Sequence, residues 1–291
     1  MKRLVPYMFL SPLILLVLLF YIIPAFSTIF ISLTDMGRSL KGDYVGIKNF
    51  TRMFSLEDPV IGRVLLNTLV YLGGALIITL AGGLLLANAT VSLGNRIGGF
   101  FRLIWFLPRA TPPVVWAFLW IWAFDPTKFG LLNMVFRNIG LQERSWISLY
   151  PMLIVILANG VLGIPYTMTI LSAALGNIPA EIIEAARIDS ASGWQIMMKI
   201  KVPLIWWPLS FLTIWHTLSF LTTFQYILMI TGGGPFYAST PLALYTYNKA
   251  FQHMELGYGS ALALVLILLS MVIILAFRNL LGLKREAQKK W

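Results

Sequence analysis

From Leu4 to Thr34 the chain contains no aspartate, glutamate, lysine or arginine. A soluble domain has no use for so long an apolar surface. A bilayer demands one: roughly 20 mostly apolar residues in helix cross about 30 Å of hydrocarbon and satisfy every backbone hydrogen bond internally. Lys2 and Arg3 precede the run as they would in a secretory signal. The run exceeds a signal's usual apolar region, however, and other such runs follow it. An uncleaved first transmembrane helix near Pro6 to Ile31 is therefore expected.

Five further segments meet the same requirement. They lie near Val64 to Leu86, Leu103 to Phe124, Leu149 to Leu175, Leu204 to Ile230 and Tyr258 to Phe277. The expectation is an all-α polytopic membrane protein of six transmembrane helices. Composition agrees, because 58% hydrophobic and 11% charged residues leave too few charges for a soluble surface, which averages about a quarter. The net charge of +11 is not that of a nucleic-acid groove, since long uncharged stretches interrupt every basic group.

Lysine and arginine placement orients the six segments. With both termini cytoplasmic, the inside regions hold twelve basic residues: Lys2, Arg3, Arg96, Arg102, Arg187, Lys199, Lys201, Arg278, Lys284, Arg285, Lys289 and Lys290. Only Glu181, Glu184, Asp189 and Glu286 oppose them there. Nine basic residues outside are nearly balanced by seven acids. Trp105, Trp122, Trp146, Trp206 and Trp207 near segment ends fit interfacial anchoring. The outside loop from Asp35 to Gly62 is long enough to cover a pore mouth. A second outside loop, Thr231 to Gly257, carries Gly232, Gly233, Gly234 and Pro235, then Tyr237. Gly233, Gly234, Pro235 and Tyr237 form either a structural turn or a contact for a ligand or external partner. The loop lacks the spacing and the terminal lysine of a phosphate-binding loop.

The inside connection from residue 177 to 203 differs from the rest. Pro179 opens a helix-forming run with Glu181 and Glu184 toward its positive end. Asp189, Ser190, Ala191, Ser192 and Gly193 supply turn chemistry, and Ser192 with Gln195 fits a capping box for a second short helix. Ile196, Met197 and Ile200 then make an apolar stripe, Lys199 and Lys201 stay wet, and Pro203 limits the continuation. From these residues alone the segment is either a surface loop or a helix-turn-helix element shaped for a partner's cleft.

Here the chain resembles the membrane-spanning subunits of bacterial binding-protein-dependent ABC importers, in particular the carbohydrate-type permeases. Their cytoplasmic signature is Glu-Ala-Ala, three residues, Gly, nine residues, then Ile-x-Leu-Pro. It is met by Glu184, Ala185 and Ala186, with Ser190 at the glycine position and Ile200, Val202 and Pro203 at the far end. Gly46, Asn49 and Phe50 resemble the family's early outside loop, and Arg102, Phe106, Leu107 and Pro108 its entry to the third span. The order Gly232 to Pro235, Ser239, Thr240, Leu244, Tyr245, Tyr247, Ala250, Phe251, Gly257 and Tyr258 is similar to the carbohydrate branch.

The resemblance implies that residues 1–291 form an ABC transporter transmembrane domain in a bacterial or archaeal cytoplasmic membrane. It makes residues 177–203 a cytoplasmic coupling-helix loop. Glu184, Ala185, Ala186, Asp189 and Ser190 would then contact an ATP-binding subunit. The implied partners are a second homologous permease subunit, two cytoplasmic ATP-binding subunits or domains and an extracytoplasmic solute-binding protein. The implied substrate is a carbohydrate. ATP and Mg2+ would belong to the ATPase, with no cofactor bound directly and no nucleic acid involved.

Within the spans, Asn67, Asn159, His216 and Gln225 can either hydrogen-bond sugar hydroxyls or satisfy neighbouring helices. Arg109 is a cation near an apolar span. The sequence has no cysteine and two histidines, so cysteine-based and multi-histidine metal sites are excluded, and no hydrolytic motif assembles. A proton-coupled secondary transporter, the alternative of a different class, would need an ionisable relay, and the spans contain no clear acid. A phosphorylated polyol is the alternative substrate of an importer.

Overall fold

The structure, a computed structural model, describes residues 5–55 and 57–280. The described residues are mainly helical, joined by loops, and among them one isolated antiparallel bridge links Thr34 and Tyr44. Sixteen α-helices follow in order: α1 Val5–Val17, α2 Ile23–Ser32, α3 Lys48–Phe54, α4 Ile61–Ser92, α5 Gly94–Ala110, α6 Pro113–Ala123, α7 Leu131–Asn138, α8 Trp146–Leu149, α9 Pro151–Gly176, α10 Ala180–Ile188, α11 Gly193–Ile196, α12 Val202–Leu204, α13 Trp206–Thr222, α14 Gln225–Ile230, α15 Leu242–Tyr247 and α16 Leu256–Leu280. Two π-helical turns, Leu18–Ile22 and Met197–Lys201, join consecutive helices, and a third, Asn248–Gln252, extends α15.

Two of those turns share a cause. The Ile23 amide donates to Leu18 O and the Val202 amide to Met197 O, each five residues back, and each is followed by a proline, Pro24 or Pro203. Proline has no N–H for the carbonyl four residues earlier, and the turn before it widens.

Among the described residues, four helices are long and apolar enough to cross a membrane: Phe9–Ser32, Ile61–Ser92, Pro151–Gly176 and Leu256–Phe277. A bent pair, Gly193–Leu204 with Trp206–Thr222, makes a fifth if it counts as one span. By length and composition these make four or five spans, where the sequence leads one to expect six. The expected third span divides into α5 and α6, because Thr111 and Pro112 are extended, with ψ of 132° and 142°. Two successive prolines force this, since a residue before proline is driven out of the helical region. The expected fifth span ends at Thr222 and resumes at Gln225. There Thr222 and Thr223 turn their hydroxyls back onto Leu218 O and Ser219 O, and Thr223 is extended. Lys2, Arg3, Lys284, Arg285, Glu286, Lys289 and Lys290, which helped to orient the chain, lie outside the described residues.

The chain forms two compact units, Met1–Gly62 with Leu242–Met271 and Arg63–Pro241 with Val272–Trp291. In the first, the apolar side chains of Phe9–Ser32 point outward along the whole helix, as lipid contact requires. The loop from Asp35 to Gly62 is tied down by Asn49, whose amide donates to Ser32 O and Thr34 O at 2.8 Å each, and by the Gly257 amide on Met36 O at 2.9 Å.

In the second unit α9 is the central helix, with α5, α13 and α14 packed on it. Ala87, Met168, Leu171, Leu175, Ile205 and Leu212 form one apolar cluster. α4 and α9 approach closely through glycines: a methyl at Gly160 would lie 2.8 Å from Ile78 Cβ, and one at Gly163 would lie 2.6 Å from Thr79 Cγ2. That closeness lets Thr79 Oγ1 donate to Gly160 O across the pair at 2.8 Å. Small residues and interhelical hydrogen bonds serve where lipid removes the hydrophobic drive between helices.

Candidate functional site

The segment from residue 177 to 204 folds as two short helices around a tight turn. Pro179 is the N-cap of α10, and Glu181 and Arg187 sit at the ends that the helix dipole favours for each charge. The turn is a Schellman motif: the Ala191 amide donates to Ala186 O at 2.9 Å and the Ser190 amide to Arg187 O at 3.0 Å. Ser190 occupies the left-handed position, with φ of 59°. The glycine of the resembled signature thus falls where the backbone has positive φ, and serine holds the same conformation at some steric cost. Glu184, Ala185, Asp189 and Ser190 are exposed, whereas Ala186 is buried beneath them.

The second helix opens with the expected capping box. The Ser192 amide donates to Gln195 Oε1 at 2.7 Å, and the Gln195 amide to Ser192 Oγ at 3.3 Å. Ile196 and Met197 are buried and Lys199 is exposed, as the stripe predicts. Lys201 departs from expectation: it is half-buried, and its ammonium donates to Asn88 Oδ1 at 2.6 Å instead of staying wet. Pro203 lies inside the helical path, which breaks two residues later at Ile205, where the chain turns 77° into α13.

α4 joins this element to the glycine-rich loop. Near its start, Asn67 Nδ2 donates to Tyr237 O at 2.7 Å and to Thr240 O at 3.2 Å. Near its end, Asn88 receives Lys201. The two asparagines are 21 residues apart, roughly 31 Å at about 1.5 Å per residue. That equals the hydrocarbon thickness of a bilayer. The loop and the two-helix element therefore lie a membrane's thickness apart along one helix.

The loop itself is closely hydrogen-bonded. Gly232 and Gly233 take φ of 62° and 83°, and Phe236 and Tyr237 are also left-handed, at 47° and 60°. Gly233 O accepts from the Ser239 amide at 3.1 Å and from Thr240 Oγ1 at 2.8 Å. The hydroxyls of Thr231 and Ser239 meet at 2.8 Å. Gly233 is buried, Gly234 and Tyr237 are half-buried, and Pro235 is exposed. Phe236, which residue type alone did not single out, stands at the tip with 88% of its surface exposed.

The polar side chains in the helices are mostly engaged. Asn159 donates to Val155 O at 3.0 Å, within its own helix. His216, 3% exposed, meets Thr167 Oγ1 through Nε2 at 2.9 Å and stacks on Phe220, with ring centroids 5.6 Å apart. Gln225 is exposed at the start of α14. Arg109, at the C-terminal end of α5, lies over the Tyr166 ring at 5.3 Å, and Tyr166 meets His216 edge-on at 6.0 Å. The structure thus brings His216 together with Arg109 and Tyr166, while Asn67 and Asn159 spend their amide donors on backbone carbonyls.

The first unit holds a charged cluster that the sequence did not disclose. Asp58, 4% exposed, accepts from Tyr245 Oη at 2.5 Å, from Tyr258 Oη at 2.9 Å and from the Val60 amide at 3.1 Å. Glu255 pairs with Arg52 and Lys249 at 2.8 Å each. Burial alone would raise both carboxyls. The hydrogen bonds and the neighbouring cations outweigh it and hold both below the usual carboxylate range. Among the described residues, no group of three or more potential metal ligands assembles.

A family described as binding-protein-dependent transport system inner membrane component matches residues 79–282, which include α9, the two-helix element and the glycine-rich loop. The chain is 31% identical over 282 residues to the sn-glycerol-3-phosphate transport system permease protein UgpA of Agrobacterium fabrum, covering 94% of this chain and 92% of the relative. It is 30% identical over 297 residues to the alpha-glucoside transport system permease protein AglF of Rhizobium meliloti, covering 97% and 83%. Among solved structures, a chain of a bacterial alginate ABC transporter in complex with an alginate pentasaccharide-bound periplasmic protein superposes with a TM-score of 0.83 at 22% identity, covering 99% of this chain and 96% of the other. At that identity the likeness is one of fold.

Proposed function

We infer the function from membership: the chain belongs to the family of binding-protein-dependent transport system inner membrane components, and we propose that it is the permease subunit of an ATP-driven importer of a sugar or oligosaccharide. In this reading it forms part of the translocation route, with both termini cytoplasmic. The third and fifth crossings are each built from the broken helices α5 with α6 and α13 with α14. A second homologous permease completes the route, and a solute-binding protein delivers substrate at the outer face. ATP hydrolysis with Mg2+ takes place in two partner ATPase subunits.

The observation that carries the proposal is the two-helix element from Pro179 to Leu204. It presents Glu184, Ala185, Asp189 and Ser190 outward on a rigid Schellman turn, a membrane's thickness along α4 from the loop at Phe236. Ala185 lets a partner's backbone approach, and the carboxylates set orientation and specificity more than raw affinity. At the other end, Gly233, Gly234, Pro235 and Tyr237 shape the loop that offers Pro235 and Phe236 to the binding protein. A push on α10 reaches α4 through Lys201 and Asn88 and α13 through the bend at Ile205. His216, with Arg109 and Tyr166, is the part of the substrate route that the packing supports best. Asn67, Asn159 and Gln225 complete the candidates.

A neutral sugar would use hydroxyl hydrogen bonds and aromatic faces. Arg109, exposed beside Tyr166, favours a second substrate, a phosphorylated polyol such as the one in the name of the Agrobacterium relative. The test is reconstitution with the candidate partners and a screen of radiolabelled sugars and polyol phosphates for ATP-dependent uptake. Uptake that needs no ATPase and follows a proton gradient would replace this reading with secondary transport.

A further inference from the structure

Beneath the two-helix element lies a cavity of about 290 Å3 lined by Asn88 and Ser92 of α4, by Ile183 and Arg187 of α10, and by Ala191, Gly193, Ile196 and Lys201. Its volume is at the lower end of the roughly 300–1,000 Å3 typical of ligand sites. Its charge is unusual. Arg187 and Lys201 share the cavity and act on one another electrostatically. Among the described residues, neither pairs with a carboxylate. Lys201 gives one N–H to Asn88 and keeps two, Arg187 brings a planar fork of donors, and the Asn88 amide supplies a neutral one, whereas the Ser92 hydroxyl is spent on Ala89 O at 2.8 Å. Two like charges held together over a cavity are stable when an anion lies between them.

We propose that this cavity binds a phosphate group, clamped between Arg187 and Lys201 with the Asn88 amide completing its hydrogen bonds. The position suits the phosphate of an anionic lipid. The cavity opens where the apolar run of α4 ends at Ser92, and Leu204, Trp206 and Trp207 stand exposed on the chain that follows Lys201. Tryptophans beside a basic pocket mark the headgroup level of a membrane. Free inorganic phosphate offers the same chemistry to the site.

The test uses the delipidated full-length chain in neutral detergent, titrated separately with short-chain phosphatidylglycerol and with inorganic phosphate. Binding is read by native mass spectrometry and by the thermal unfolding midpoint. Because the chain is measured without partners, a failed assembly with an ATPase leaves this result untouched. Saturable binding is expected, weakened at least about tenfold in the double variant Arg187→Gln/Lys201→Gln, as loss of two charge-assisted contacts requires. Lys199→Gln, which removes an exposed cation two residues away, should bind as wild type. Arg187→Lys, which keeps the charge, should retain most of the affinity and guards against a folding defect. Binding of the lipid alone assigns the headgroup, and binding of both assigns a general phosphate site. If neither ligand binds, or if the double variant binds as wild type does, the cavity is not a phosphate site.

Discussion

Asp58→Asn keeps the shape of a buried side chain and removes its charge. The Asp58 carboxylate accepts two tyrosine hydroxyls, at 2.5 and 2.9 Å, and one backbone amide at 3.1 Å. A hydrogen bond to a charged group contributes about 1.5–3 kcal/mol, against about 0.5–1.5 for a neutral one. Turning the two tyrosine bonds from charged to neutral costs about 2 kcal/mol, and the loss is at least that because the new amide nitrogen, a donor, replaces the oxygen that accepts from the Val60 amide. Asp58→Ala, which orphans both hydroxyls, costs about 4 kcal/mol.

The folded carboxyl is held below its ordinary value, so its stabilisation is fully present above about pH 4 and is lost as the pH falls through the lower, folded value. Glu255 contributes in the same direction. The assay is thermal unfolding of the purified protein in detergent, followed by tryptophan fluorescence from pH 7 down to pH 3. Wild type should melt higher at pH 7 and lose stability below about pH 4. Asp58→Asn should melt lower at pH 7 and show a smaller acid-dependent loss. Tyr245→Phe/Tyr258→Phe should be markedly less harmful on the Asp58→Asn background than on wild type, because the groups act as one network. An unchanged midpoint at pH 7 together with an unchanged acid profile in Asp58→Asn would refute the reasoning.

Three further outcomes are expected. Glu184→Lys should leave membrane insertion and the unfolding midpoint unchanged while weakening co-purification with the ATPase and ATP-dependent uptake; full assembly and uptake would remove Glu184 from the coupling surface. Ser190→Gly should raise stability by about 1 kcal/mol, because glycine holds φ of 59° without steric cost, and a denaturant midpoint below wild type would contradict that. Gly163→Val should separate α4 from α9 and cost about 3 kcal/mol or more, since its side chain would collide with Thr79 and break the Thr79–Gly160 hydrogen bond; normal yield and an unchanged midpoint would show that the helix pair can give.

Local chemistry was legible in the amino-acid order. The uncharged run from Leu4 to Thr34 requires a bilayer, Pro179 opens a helix, and Ser192 with Gln195 caps another, because each of these depends on residues close together in the chain. The resemblance of Glu184 to Pro203 to a signature put Ser190 at a glycine position, but a serine there gave no reason to expect the φ of 59° that the backbone adopts. The apolar stretches around Pro112 and Thr223 were less informative: hydropathy measures solvation, whereas one conformationally restricted residue interrupts a helix without changing its polarity. Long-range pairing lay beyond the sequence altogether. Asn67 reaches Tyr237, Lys201 reaches Asn88, and Asp58 is met by Tyr245 and Tyr258, partners between 113 and 200 positions away. Composition and spacing thus determine that this chain lives in a membrane and where its surface element begins and ends. Only tertiary packing decides which polar groups are spent on holding the fold and which remain to meet a substrate, a partner or an anion, since a hydrogen-bond donor is committed by whatever folding brings within 3 Å of it.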